Sequence, residues 1–223
     1  MKAPADTVAV EPVEVLPRTR KNNPQKTRED ILQVALAEFV AYGLTGARVD
    51  AIAERTKTSK RMIYYYFGSK EQLYVQVLEK LYGDIRTTES QLNLAQLAPV
   101  EAIQRVVEFT FDHHDRNVDF VRMVCIENIH NAENVKQSET IKAKSQTILR
   151  ALDEILRRGE AEGVFREGVA AIDLHLMISS FCFYRISNRH TFGAIFQIEL
   201  ESEEVRKRHK AMICDAVARY LKR

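Results

Sequence analysis

From Ile31 to Tyr220, apolar residues return every three or four positions, and no segment alternates apolar with polar residues as a half-buried strand does. That spacing predicts an all-α chain. Ile31, Leu32, Ala35, Leu36 and Phe39 form one stripe of a helix over about 25–42, stopped by Gly43 in glycine's left-handed conformation. Tyr74, Val77, Leu78, Leu81, Tyr82 and Ile85 continue the period on a long helix that starts after a Ser69 cap and ends near Asn93. Further helices are expected over about 100–114, 118–131, 138–162, 171–192 and 202–221. The helix over 171–192 is apolar around nearly its whole circumference, so it must be buried on both sides. One chain of this length does not easily cover both sides, whereas a second copy does. The pair 171–192 and 202–221, packed on the same pair of a twin chain, makes a four-helix interface with a twofold axis.

The segment from Arg48 to Lys70 reads as two short helices broken at Thr56–Thr58. Val49, Ile52 and Ala53 face a core from the first. The second runs from about Ser59 to Tyr65, with Thr58 as its expected N-cap, and carries Lys60, Arg61 and the run Tyr64-Tyr65-Tyr66. Two helices on a tight turn, the second rich in cations and hydrogen-bonding tips, suit a helix-turn-helix that lays one helix in a DNA major groove. Three consecutive tyrosines cannot all face one core, so at least one is exposed. Phe67 is expected to close the small core beside Ile52, Ala53 and Ile63, with the first helix holding the other two.

Charge supports that placement. The formal net charge is only +2, yet residues 18–70 hold eleven lysines and arginines against five acids. Positive charge gathered on one segment is the footprint of a polyanionic partner. Residues 1–24 contain four of the five prolines and no helical period, and are expected to be a disordered tail whose basic end (Arg18, Arg20, Lys21) can lie along phosphates. No apolar run is long enough to span a membrane and the start of the chain lacks a secretory h-region, which places the protein in the cytoplasm. Cys125, Cys182 and Cys214 sit far apart inside helical patterns and read as buried thiols. His113-His114, even with His175, does not make a metal site, because adjacent residues on a helix point about 100° apart and a metal needs three or four convergent ligands. No catalytic constellation or cofactor motif is recognisable.

Two arginines, Arg122 and Arg185, lie inside strongly apolar helices, and a buried guanidinium needs a partner. A structural ion pair of Arg122 with Glu127 is one reading. The other is a clamp on a ligand carboxylate, with Phe181, Tyr184 and Asn188 lining the same cavity as Arg122 and Arg185.

Gly43-Leu-Thr-Gly-Ala-Arg-Val-Asp-Ala-Ile-Ala53, followed by Thr58-Ser-Lys-Arg-Met-Ile-Tyr-Tyr-Tyr-Phe-Gly-Ser-Lys-Glu-Gln-Leu-Tyr74, closely resembles the N-terminal signature of TetR-family repressors. The resemblance implies a helical dimer with a ligand-binding C-terminal domain, in which ligand binding changes the spacing of the DNA-reading heads. It also implies that Ser59 and Lys60 open the recognition helix, that Arg61 faces bases, that Tyr64 and Tyr65 reach phosphate or thymine methyls, and that Lys70 anchors a phosphate. Two positions depart from the family pattern. Ala47-Arg48 stands where a threonine is common, with Arg48 kept as a phosphate contact, and Lys57 stands where the turn often has glycine. The segments 119–128, 163–168 and 181–192 resemble a branch that includes repressors of pyrimidine and nicotinate breakdown, which suggests a small polar or anionic heterocyclic effector.

The expected organisation is a tail over 1–24, a three-helix DNA-binding domain over 25–70, and a ligand-binding and dimerisation domain over 71–223. The expected function is a homodimeric repressor released from palindromic DNA by a small molecule. An activator, a repressor without a ligand, and an α-helical enzyme or carrier with an incidental head are the alternatives.

Overall fold

A computed structural model describes residues 23–223, and the expected tail lies outside them except for its last two residues. Among the described residues ten α-helices follow one another: α1 (Pro24–Gly46), α2 (Val49–Arg55), α3 (Lys60–Phe67), α4 (Lys70–Ser90), α5 (Pro99–Arg116), α6 (Val118–Ile129), α7 (Glu139–Ala161), α8 (Ala171–Ser187), α9 (Arg189–Phe196) and α10 (Glu203–Leu221). The only β-type pairing among the described residues is a single bridge between Phe165 and Lys222.

Local chemistry sets the first four helices. Asn23 caps α1 by accepting from the Lys26 amide, and Pro24 takes the first helical position, where its missing N–H costs nothing. Gly43 has φ 65° and ψ −179°, a positive-φ extended conformation that only glycine adopts readily, rather than the left-handed helical one expected. The chain then makes one more turn to Gly46 before entering α2. The cap of α3 is Ser59, whose Oγ accepts from the Met62 amide at 3.2 Å; Thr58, the expected cap, lies one residue outside. Ser69 caps α4 in the same way, accepting from the Gln72 amide.

Helices α1–α3 close on a core of Ile31, Phe39, Ile52, Ile63 and Phe67. That core does not stop at α3. Leu73, Tyr74, Val77 and Leu78 of α4, Met123 of α6 and Ile141 of α7 belong to the same buried cluster. A second cluster lies among α5, α7, α8 and α10, around Val107, Phe111, Leu152, Ile155, Leu174 and Ile178. Helix α4 links the head to the rest, and the Ser138 hydroxyl at the start of α7 donates to Glu79 on its flank.

The period over 171–192 predicts one helix, and the chain forms two. Helix α8 ends at Ser187, and Asn188 turns the chain into α9, donating through Nδ2 to the Ser187 hydroxyl while its carbonyl accepts from the Phe192 amide. Within the chain, α8 buries only one side, through Leu174, Ile178, Cys182 and Ile186. Ile172, Leu176, Phe181 and Tyr184 stand exposed on the other.

Lys57, in the turn between α2 and α3, has φ 52°, so a residue with a Cβ occupies a left-handed position. Such a conformation costs a non-glycine residue about 1–2 kcal/mol, and a β-branched residue fits it worst. Lys57→Val is expected to lower unfolding free energy by about 1–2 kcal/mol in urea titrations, and Lys57→Gly to leave it equal or higher.

Candidate nucleic-acid interface and the chamber behind it

Helix α3 presents its outer face to solvent. Lys60 and Arg61 are exposed at its start, and Tyr65 is 78% exposed against 42% for Tyr64. Tyr66 turns inward and packs on the head core, with its ring 6.2 Å from Phe67. The tyrosine run therefore divides between an outer face and the core. Lys60 donates to Asp50 at 2.8 Å, but both side chains are about half exposed, so the pair is weak and is readily exchanged for a phosphate. Ser59 serves α3 as its cap. Arg48 is exposed at the cap position of α2, where its side chain makes no capping bond.

What fixes this surface is partly hidden. Glu38 of α1 is buried, accepts from the Arg48 amide through Oε1 at 3.1 Å and faces Arg55 at 3.7 Å. A carboxylate at this helix N-terminus satisfies an orphan amide and favours the helix dipole. Lys70 has a similar bracing position. Its ammonium donates to the carbonyls of Thr45 and Ala47, at 3.3 and 3.2 Å, which ties the start of α4 to the end of α1. Two of its three donors are thus directed at the protein.

The five residues considered for an effector do not meet in one cavity. Arg122 is exposed on α6 and has no ion pair among the described residues. Its expected partner, Glu127, is buried and instead accepts from the backbone amides of Asn134 and Val135 and from the Asn134 side chain, which organises the loop after α6. The apolar residues around Arg122 belong to other faces of α6. Asn188 serves the α8–α9 junction. Only Phe181, Tyr184 and Arg185 come together, in an apolar open groove of about 520 Å³ with Met177, Phe192 and Met212. Arg185 is buried, as expected of a charge on that helix, but its partners are Asp115 and the Leu200 carbonyl, and its guanidinium lies over the Phe111 ring. Arg206 shares Asp115 at 2.5 Å. This is a structural network joining α5, α8 and α10.

A different chamber, of about 290 Å³, opens between α4, α5, α6 and α8. Tyr82, Ile85, Arg86 and Glu89 reach it from α4, Thr110 and His114 from α5, Phe120, Val124 and Asn128 from α6, and His175, Ser179 and Phe183 from α8. Arg86 donates to Glu89, one turn on, with side chains only 11% and 8% exposed. His114 is buried and bonds through Nδ1 to the Thr110 carbonyl at 2.7 Å. His113, edge to face with both His114 and Phe120, is held down at about 4, chiefly by burial and then by its neighbours His114 and Arg86. Burial, followed by Arg86 and His114, holds His175 at about 4 as well. The sequence reading passed over Arg86 and Glu89; the signal that could have found this chamber is that the pair continues the apolar stripe of α4. No group of three metal-ligating residues converges among the described residues.

Histidines that stay neutral in the folded state set a pH dependence. Their folded-state values, about 4, lie below the usual 6.5, so protons bind the unfolded chain first as pH falls. Stability is therefore fully present above pH 6.5 and is lost as pH falls from there towards 4. The slope is at most about 1.4 kcal/mol per pH unit for each histidine. Urea midpoints between pH 7 and 5 are expected to fall less steeply in His113→Gln and His175→Gln than in the parent.

The comparisons with known proteins agree with this architecture. The family profile described as bacterial regulatory proteins, tetR family, matches residues 31–77, and the tetracyclin repressor-like C-terminal domain matches residues 99–217. The chain is 34% identical to the HTH-type transcriptional repressor NicS of Pseudomonas putida over 204 residues, which covers 92% of this chain and 96% of the relative. It is 28% identical to the HTH-type transcriptional repressor SCO4008 of Streptomyces coelicolor, over 70% of this chain and 76% of that one. The solved structure of a transcriptional regulator, SCO4942 of Streptomyces coelicolor, superposes with a TM-score of 0.66 at 26% identity, covering 87% of this chain and 98% of that one. Among the described residues no helix is long and apolar enough to cross a membrane. With both halves matched and a relative aligned over nearly its full length, the chain belongs to the TetR family of helix-turn-helix transcription regulators, whose members bind DNA operators and small-molecule effectors and act as dimers.

Proposed function

We propose that this protein is a transcriptional repressor that holds a palindromic operator as a homodimer and lets go when a small molecule enters the chamber between α4, α5, α6 and α8. The observation that carries this is the continuity of α4: its first half packs in the head core, and its second half lines the chamber. A ligand that repositions α4 repositions α3 with it. The two relatives described above are both repressors, which favours repression over activation.

Each part has a physical role. Arg48, Lys60 and residues of the basic segment neutralise phosphates, which makes affinity fall steeply with salt. Arg61 reads base edges, and Tyr64 and Tyr65 reach backbone or thymine methyls. Lys70 positions the head by bracing α1 against α4. Dimerisation uses the exposed apolar face of α8 with α10, where Phe181, Tyr184 and Met212 stand 41%, 56% and 53% exposed in the single chain. A twofold axis through that face presents two copies of α3 to two half-sites. Effector release works only as far as the ligand binds the DNA-misfitting arrangement more tightly than the fitting one.

The test is a footprint of the purified protein on DNA upstream of its own gene, with and without cell metabolites. A symmetric protected site that disappears with a metabolite fraction is expected, and protection that is absent at low salt overturns the proposal. Arg61→Ala is expected to reduce the preference for the operator over a scrambled duplex by about tenfold or more, as loss of a base contact worth roughly 1–3 kcal/mol requires; an unchanged ratio in gel shifts removes Arg61 from base reading. The double substitution Tyr184→Glu with Met212→Glu is expected to give monomers in sedimentation, and a surviving dimer moves the interface elsewhere.

A further inference from the structure

The chamber has an unusual tenant in Arg86. A guanidinium carries five N–H donors, and among the described residues Arg86 makes one hydrogen bond, from Nη1 to Glu89. Its Nε lies out of reach of solvent and has no partner. A buried donor without an acceptor is costly and calls for an explanation. Arg158, Arg185 and Arg206 also have a buried Nε without a hydrogen bond, but their guanidinium groups are committed elsewhere: to the carbonyls of Leu94, Ala95 and Leu97 in the first case, to Asp115 and Leu200 in the second, and to ion pairs with Asp115 and Glu203 in the third. None of the three lines this chamber. In Arg86 the edge formed by Nε and Nη2, the edge that grips a carboxylate with two parallel bonds, makes no hydrogen bond.

The surroundings fix the rest of the ligand. Tyr82 and Phe120 meet edge to face at 5.3 Å, and Phe183 faces the same space, so the walls suit a flat ring. A volume of about 290 Å³ is at the lower limit for a small-molecule pocket and admits one ring with short substituents. Among the described residues Arg86 is the only lysine or arginine that lines it, so a dianion would be undercompensated.

We propose that the chamber's ligand is a monocyclic aromatic carboxylate, gripped by Arg86 once the guanidinium turns its unpartnered edge into the chamber, and taken up together with one proton. The inference rests on the chamber being the effector site. The proton follows from charge balance. From α4, Arg86 and Glu89 cancel, Tyr82 is neutral, and Asp84, outside the lining, acts on His113. From α5 and α8, His113, His114 and His175 stand neutral, and from α6 Glu127 adds a negative field felt at Tyr82. A second carboxylate on the same guanidinium leaves one negative charge in an apolar space, which is expensive. A proton removes it, on Glu89, which burial already pushes upward, or on His114 or His175, which the arriving anion favours in the charged form. Acid uptake then strengthens as pH falls, by up to tenfold per unit.

Calorimetry on the full chain with benzoate, 3-hydroxybenzoate and 4-hydroxybenzoate, each beside its carboxamide, tests this at pH 6, 7 and 8. At least one acid is expected to bind tenfold or more tighter than its amide at pH 7. Its affinity should fall close to tenfold per pH unit, and that of the amide should stay level. Arg86→Lys is expected to weaken the acid at least tenfold. Arg86→Met paired with Glu89→Met strands no charge, and it should erase the preference for acid over amide in a protein whose circular dichroism and melting remain those of a folded chain. The proposal is overturned if no acid binds, if acids bind no better than amides, if acid affinity ignores pH, or if the preference survives the paired substitution. Val124→Trp, which fills the chamber, separates the two levels. Amides that bind the parent and fail on this variant, without any acid preference, leave the effector site standing and remove the ligand class. Ligands that bind the filled variant normally remove the site itself.

Discussion

Tyr74 sits where the head of the molecule meets its body, and the rest of the structure depends on how little room it has. Its side chain is fully buried, its ring lies edge-on to Phe39 of α1 at 4.9 Å, and its hydroxyl is raised by burial and by the adjacent Glu127 of α6. Three helices therefore share one packed contact: α1 from the head, α4 running through it, and α6 from the body. Close-packed interiors do not deform smoothly, so a shift of α4 or α6 moves the head as a body rather than being absorbed. Helix α6 reinforces this with two faces, Met123 and Glu127 towards the head side and Phe120, Val124 and Asn128 towards the chamber. Moving such a two-state equilibrium from nearly all bound to nearly all released needs about a 10⁴-fold difference in ligand affinity between the states.

The DNA-reading end was legible from the residues because each of its determinants is local. Apolar spacing located α1, α2 and α3, Ser69 announced α4, and Lys60, Arg61, Tyr64 and Tyr65 reach solvent on one helix. Even there the cap fell on Ser59 and not Thr58, since two adjacent hydroxyls offer the same chemistry and only backbone geometry chooses between them. Glu38 gave no signal, because an acid in an amphipathic helix normally faces water, and its acceptor role depends on where α2 begins.

The body was legible as helices but not as a site. The polar run Ser187-Asn188-Arg189-His190-Thr191 interrupts the apolar pattern where α8 turns into α9, but such a run also suits the solvated end of one longer helix, and periodicity alone does not choose between them. Arg122 and Arg185 look alike in sequence, each surrounded by apolar residues. One faces water and the other is sealed against Asp115, a residue 70 positions away. Convergence across α4, α5, α6 and α8 is a tertiary fact, and no window of the chain contains Arg86, His114, Phe120 and His175 together. The apolar face of α8 was legible for the opposite reason: a helix with too much apolar surface must find cover, and one chain leaves Ile172, Leu176, Phe181 and Tyr184 uncovered.

A single distance tests whether chamber and head move as one. With Cys125 and Cys214 replaced by alanine, a spin label on Glu54→Cys, on α2 of each head in the dimer, reports the separation of the two heads by pulsed electron resonance. The coupling through α4 and α6 predicts one separation on operator DNA and a different one when a chamber ligand is bound. An unchanged distribution under a ligand that nonetheless strips the protein from its operator would contradict it.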